Sequence, residues 1–336
     1  MESKLIFTCN AVLPIILTIA TGYFLKKIRL LPKDFFPLLN KLCFRCCLPC
    51  LLCYNVYNLR EIKEIAAALP VVIFAVASIL CFFFIGLLIS IFSTKDNSQR
   101  GVMLQAAFRS NYAIIGLSLS LSISSEPKAS AIASVLSSVS IPLFNILATI
   151  ALSVFCSKNE KKGRISNMLK KIATNPLILG CATGFVFLLI RAALPKNDSG
   201  EAIFLLSRDV PFAFKTLQNL ALAASTIALI ALGGNFELSA VSRLKKLIAI
   251  GTFSRVILCP LVCLFFAYAV GFRATEFPAL IALYGTPIAV SSVPMAAEMD
   301  GDAELAGQLV VWTSLCSAFT LFLTIFFCAK IGIFEP

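Results

Sequence analysis

The sequence predicts an all-helical membrane protein built as two five-helix repeats of opposite orientation, with a pair of broken helices that cross. Three observations predict it: an apolar surplus, the spacing of the apolar runs, and a segment that occurs twice with matching prolines and glycines. Of the 336 residues 59% are hydrophobic and 14% charged, against roughly 45–50% and ~25% in soluble domains, and the mean hydropathy is +0.92. At ~20 apolar residues per spanning helix this inventory supplies about ten spans. Soluble enzymes, disulfide mini-proteins and disordered chains are excluded by the same balance.

Runs suited to spanning helices lie at 5–25, 36–58, 65–92, 101–124, 129–156, 176–194, 211–233, 246–271, 277–298 and 304–330, each bounded by charge, Pro or Gly. The first run lacks a small-residue cleavage site and is followed by Lys26, Lys27 and Arg29, so it reads as a span rather than a cleaved signal. The longest polar connection, 157–175, carries Lys158, Lys161, Lys162, Arg164, Lys170 and Lys171 and is placed in the cytoplasm. Alternation from that loop puts Lys33, Lys95, Arg100, Arg243, Lys245 and Lys246 on the same side and both termini outside a plasma membrane. Basic residues are then modestly more numerous inside, as the positive-inside rule asks.

The repeat sets the organisation. From Pro14 the chain reads PIILTIATGYFLKKIR, and from Pro176 it reads PLILGCATGFVFLLIR. Pro14 matches Pro176, Ala20 to Gly22 match Ala182 to Gly184, and Arg29 matches Arg191; a Leu-Pro-Lys follows in both copies, at Leu31 and at Leu194. The first and sixth runs are thus related, giving a first repeat over 1–156, a basic loop over 157–175 and a second repeat over 176–336. Five spans per repeat is an odd number, so the second copy enters from the opposite side, the inverted topology found in secondary transporters.

Such carriers place the substrate near the midplane, where corresponding helices are interrupted. Residues 101–124 hold Arg109, Asn111, Gly116 and Ser118 inside an apolar run, and residues 277–298 hold Thr286, Pro287, Ser291 and Ser292. Proline removes a helical donor and clashes with the carbonyl one turn back, so both runs look breakable. A broken helix offers free N–H groups to an anion at one end and free carbonyls at the other, with Asn111 as a further donor. The competing reading is that Gly and Pro are common in membrane helices and hydroxyls bond their own backbone. Arg109, placed about one turn before the break, is the basic residue best positioned for an anion. Arg255, Lys41 and Arg45 either serve a site or snorkel to an interface.

The chain has no histidine, and its seventeen carboxylates all fall in loops or at run ends. Proton coupling through a central titrating group is disfavoured. Facilitated transport, ions held by carbonyls and hydroxyls, or a titrating group at a run end such as Glu237 or Glu298 remain. The net charge of +12 is read as topology, not as a nucleic-acid surface. Cys43, Cys46, Cys47, Cys50 and Cys53 share one face of a run, but one straight helix cannot wrap thiolates around an ion, so they are read as small apolar packing. No metal, cofactor or phosphate-binding glycine loop is expected.

At this point the residues resemble the auxin efflux carrier family, over nearly the whole chain. The resemblance rests on Arg109, Asn111, Gly116, Leu117 and Leu119 in the fourth run, Asn175 to Ile178 at the start of the sixth, Ala228 to Gly233 in the seventh, Pro287, and the turn Gly301-Asp302 into the tenth; Pro142 and Asn145 also look like the family. Ser118 and Thr226 stand where the family has proline. The resemblance implies a bile-acid/sodium symporter-like crossover fold, elevator-type alternating access and small organic anions as substrates. The expected function is a permease for an anion such as a dicarboxylate, favouring efflux or exchange. A non-transporting sensory or accessory protein on the same fold is the alternative. The expected partners are the solute and the lipid bilayer, with no nucleic acid, and homodimerisation is left open.

Overall fold

The computed structural model describes residues 2–58, 68–124, 126–156, 173–195, 203–237 and 239–333, without the side chains of 2–12, 114, 118, 122, 127 and 156. Nearly all of the expected basic loop therefore lies outside the described residues. The helices are α1 (Glu2–Lys27), α2 (Phe35–Tyr57), α3 (Leu69–Ser93), α4 (Asn97–Phe108), α5 (Leu117–Ile123), α6 (Pro127–Cys156), α7 (Pro176–Ala193), α8 (Pro211–Asn235), α9 (Ser239–Val270), α10 (Phe277–Gly285), α11 (Ser292–Glu298) and α12 (Ala303–Lys330). There is no strand among the described residues.

Seven described helices, α2, α3, α6, α7, α8, α9 and α12, are long and apolar enough to cross a membrane. The fourth and ninth expected runs are each interrupted: α4 and α5 have 12 and 7 residues, α10 and α11 have 9 and 7. None of these pieces spans alone at 1.5 Å per residue. Side chains such as Phe84, Phe92, Phe212, Leu261 and Phe319 stand exposed, the surface that lipid, rather than water, would cover.

Two long helices carry a local irregularity with a readable cause. In α2 a π-helical turn, Cys43–Cys47, precedes Pro49; in α9 the π-helical turn Ser254–Leu258 precedes Pro260. Proline clashes with the carbonyl one turn back, and a widened turn there makes room for it. The straight second helix expected from the cysteine spacing is thus corrected. Its thiols are free, with Cys43, Cys47 and Cys53 buried, and Cys43 donates to the Ala224 carbonyl of α8 at 3.3 Å.

α9 starts earlier than the eighth apolar run, at Ser239. Arg243, Lys245 and Lys246, expected in a loop, lie on it, because Ala240, Leu244 and Leu247 give this polar turn a buried face. It ends at Gly271, whose φ of 105° lets the Phe272 N–H reach back to the Ala267 carbonyl. Polar side chains cap three starts: Asp96 accepts from Ser98 N–H, Asn175 from Leu177 N–H and Asp302 from Leu305 N–H, each at 2.9 Å.

The helices gather into two bundles. α1 packs along α8, α7 along α2, and α8 along α2. The other bundle holds α3 to α6 and α9 to α12, with α3 on α4, α4 on α6, α9 on α12 and α10 on α9. In the first bundle backbones approach closely at glycine. A Cβ on Gly22 of α1 would meet the Ile230 carbonyl of α8, and a Cβ on Gly184 of α7 would lie 2.8 Å from the Cys53 carbonyl of α2. Gly22 and Gly184 are the residues matched in the repeated segment.

Candidate substrate site at the helix crossing

The two interrupted segments meet in the second bundle. The Asn111 N–H donates to the Pro287 carbonyl at 2.8 Å, and the hydroxyls of Ser110 and Thr286 lie 2.6 Å apart. The break between α4 and α5 falls at Arg109 itself, which leaves the helix in an extended conformation (φ −81°, ψ 118°). This corrects the expectation of a break about one turn beyond Arg109. The backbone can open there without proline because the facing segment supplies the partners that helical bonds would have supplied. Gly116 closes a π-helical turn, Tyr112–Gly116, where an added Cβ would strike the Tyr112 ring.

Arg109 is 1% exposed. Its Nη1 donates to Gln105 Oε1 at 3.1 Å and faces Met295 Sδ at 2.8 Å; its Nη2 donates to Asn145 Oδ1 at 2.8 Å and to the Ser291 hydroxyl at 2.7 Å. All of these acceptors are neutral. No described carboxylate is buried anywhere in the chain, so the guanidinium charge inside the bundle has no acidic counterpart among the described residues. Asn111 is 2% exposed and its Nδ2 has no hydrogen-bond partner. A buried, unpaired amide donor ordinarily costs about 1–3 kcal/mol.

Both side chains line one small cavity, about 40 Å³, between the bundles. Asn145 and Ser291 join them from the second bundle, and Asn55 of α2 and Ser225 of α8 face them from the first. The cavity shares Leu52, Asn55 and Ile141 with a larger one of about 210 Å³, lined by Asn58, Ser134, Ser137 and Ser138, which extends to the end of α2. In the π-helical turn midway along α2, Arg45 Nε donates to Glu298 Oε2 of α11 at 3.3 Å, joining the bundles across an exposed ion pair. Arg243 pairs with Glu304 on the same side.

The remaining predicted residues fall around this cavity rather than in it. Thr286 is fully buried and holds Ser110; Pro287 contributes its carbonyl to Asn111; Ser292 is buried with an unpartnered hydroxyl. The Ser118 side chain lies outside the described positions. Amide donors expected to be free at the break are partly spent: the Ile288 N–H goes to the Thr313 hydroxyl at 3.2 Å, and the Ser292 and Val293 N–H groups go to the carbonyls of Ala289 and Val290. Side chains, not bare helix ends, give the cavity its polarity. Asn55, Ser225 and the larger cavity's serines were not singled out from sequence, since single polar residues in apolar helices carry no signal without a facing partner.

Arg255 is the other buried cation among the described residues, at 0% exposure. It does not snorkel. Its Nε donates to the Thr286 carbonyl at 3.0 Å, its Nη2 to the Leu283 carbonyl at 3.0 Å, and its Nη1 to the Phe108 carbonyl at 3.2 Å. Lys41 and Arg45 are exposed.

These features define a multi-pass helical membrane protein with a buried cationic chamber where two interrupted helices cross. A family model described as Membrane transport protein matches residues 7–325. The chain belongs to that family, the auxin efflux carrier family of membrane transporters. Comparison with curated proteins returns no match.

Proposed function

We propose that the protein is a secondary carrier of a small organic anion such as a dicarboxylate, working by elevator-type alternating access, with efflux or exchange as its net direction. The observation that carries this reading is the pairing of Arg109 with Asn111 on one cavity: a buried guanidinium with only neutral acceptors, beside an amide donor with none. An entering carboxylate takes the N–H now given to Ser291, the half-buried acceptor on the cavity wall, and satisfies Asn111 Nδ2 in the same step. Charge-assisted bonds of that kind are stronger than the neutral ones they replace.

At about 40 Å³ the cavity is too small for such a solute, so loading requires the bundles to part. The larger serine-lined cavity continues toward the end of α2, while the Arg45–Glu298 pair bridges the bundles from the middle of α2, on the other side of the small cavity. That asymmetry supports a carrier poised toward one side, which the charge distribution of the loops makes the outside. The ten-span count, the inverted repeats over 1–156 and 176–336, and external termini in a plasma membrane belong to the same proposal. The twofold use of Gly22 and Gly184 against α8 and α2 supports the repeat.

Counterflow in proteoliposomes tests this reading. Labelled dicarboxylate should accumulate against unlabelled dicarboxylate inside, and a neutral diamide of the same length should neither drive nor block it. Absence of counterflow across a panel of small organic anions, from protein that is folded and reconstituted, would refute the carrier assignment.

A further inference from the structure

We propose that Arg255 is the positioning residue of the crossing, a cation tethered to the protein that holds two buried helix C-termini together and thereby sets the substrate site. The inference deepens the carrier reading and rests on it only for its effect on transport.

The last carbonyls of a helix have no partner within it, and the end carries roughly half a negative charge. α4 ends at Phe108 and α10 at Gly285, and both ends are buried in the same bundle. Left alone, they would repel each other inside a buried region. Three carbonyls from these two ends, those of Phe108, Leu283 and Thr286, accept from one guanidinium at 3.0 to 3.2 Å. The planar fork of arginine suits this task, because its donors reach separate acceptors in fixed directions. Its remaining contact is Cys259 Sγ at 3.6 Å, one turn along α9, and no described carboxylate is buried nearby to neutralise it.

Unwound carbonyls and half-helix C-termini are the ligands that interrupted-helix carriers offer to monovalent cations. Here the same kind of acceptors hold a side chain, so the positive charge cannot dissociate. It moves with the bundle whether the site is loaded or empty, and no soluble cation is needed at this point of the crossing.

The link to the site is short. Arg255 holds the Thr286 carbonyl, the Thr286 hydroxyl lies 2.6 Å from that of Ser110, and Ser110 sits between Arg109 and Asn111. The widened turn Ser254–Leu258, forced by Pro260, is where α9 turns this residue onto the crossing.

The test compares Arg255→Lys, Arg255→Gln and Arg255→Ala with wild type, reading the melting temperature in detergent and the counterflow rate. Arg255→Lys keeps the charge but loses the three-way fork and should melt between wild type and Arg255→Gln. Arg255→Gln and Arg255→Ala should each melt roughly 5 °C or more lower, with counterflow reduced at least tenfold. Millimolar guanidinium should restore part of the melting temperature and flux of Arg255→Ala, whereas urea, of the same shape without charge, should not. Equal rescue by urea would overturn the proposal, since the residue would then fill space rather than supply charge. If Arg255→Ala does not accumulate, the other pair decides: Gln equal to or above Lys in melting temperature would overturn it. Melting needs no substrate. A protein that behaves as expected in melting but shows no anion counterflow at all would refute the carrier reading and leave the role of Arg255 standing.

Discussion

The Asn111 N–H donates to the Pro287 carbonyl at 2.8 Å, joining the two interrupted segments main chain to main chain. That bond uses the backbone of Asn111 and leaves its amide side chain facing the cavity without a partner. One residue therefore ties the crossing and presents a donor to whatever enters, and the two tasks separate on mutation.

Asn111→Ala keeps the backbone bond and removes only the side-chain donor. Substrate binding should weaken by about 1–3 kcal/mol, roughly a 5- to 150-fold rise in the half-saturating concentration in counterflow, with a melting temperature equal to or above that of wild type, since a buried donor without a partner is removed. A variant that transports normally, or one that unfolds, would contradict the separation.

Arg109→Lys retains charge but cannot fork between Asn145 and Ser291 as the guanidinium does. Its counterflow should fall at least tenfold. Arg109→Met should abolish it and also lower the melting temperature, because Gln105 and Asn145 lose a buried donor at about 1 kcal/mol or more each. Flux and thermal melting on the same preparations check both statements.

Glu298→Gln breaks the exposed ion pair with Arg45. Such pairs contribute only ~0–1 kcal/mol, so folding should be unaffected, but the equilibrium between the two access states should shift by up to about fivefold toward the side this pair closes. Labelling a cysteine placed at Ser225 from that side should speed up accordingly, and raised salt should mimic the effect in wild type.

Gly22→Ala and Gly184→Ala each drive a Cβ into a backbone carbonyl of the neighbouring helix. Each should cost about 1–3 kcal/mol of stability, and the two costs should add, since the contacts share no residue. Melting of the single and double variants measures this, and a large effect at only one glycine would count against equivalent repeats.

With no histidine and no buried carboxylate among the described residues, a proton gradient at clamped potential should not drive accumulation of a substrate whose ionisation is constant over the range used. The surface acid Asp209 carries a pH dependence of its own. The Asp209 carboxyl is held below its usual range by hydrogen bonds from Arg208 and from the Leu205 N–H. A depressed folded value means that its contribution is present above the ordinary carboxylate range and lost as pH falls through the folded one. Acid should therefore loosen the turn before α8 with transport otherwise unchanged, which hydrogen exchange at residues 205–210 would register.

The crossing was legible because residues 109–118 and 284–294 put glycine, proline, amide and hydroxyl groups inside apolar runs, where a continuous helix has no use for them. The exact break was not. Its position at Arg109 depends on partners from Thr286 and Pro287, far away in sequence, and a sequence read locally assigns the break to the nearest glycine. Arg255 was ambiguous for the same reason: its carbonyl partners exist only once two helices have ended beside it. The π-helical turns had a local signal in Pro49 and Pro260, each two residues beyond the widened turn. Asn55 and Ser225 had none, since each becomes part of a site only when the two bundles face each other.

The central claim, that an anion crosses at the Arg109–Asn111 cavity, is tested most directly by currents from proteoliposomes on a solid support after a substrate jump. A dicarboxylate that is fully ionised at the working pH should produce a transient of inward negative charge, each charge working against ~2.3 kcal/mol per 100 mV. The account predicts that transient in wild type, its absence with the neutral diamide, and its loss in Arg109→Met. Currents of equal size in wild type and Arg109→Met would contradict it.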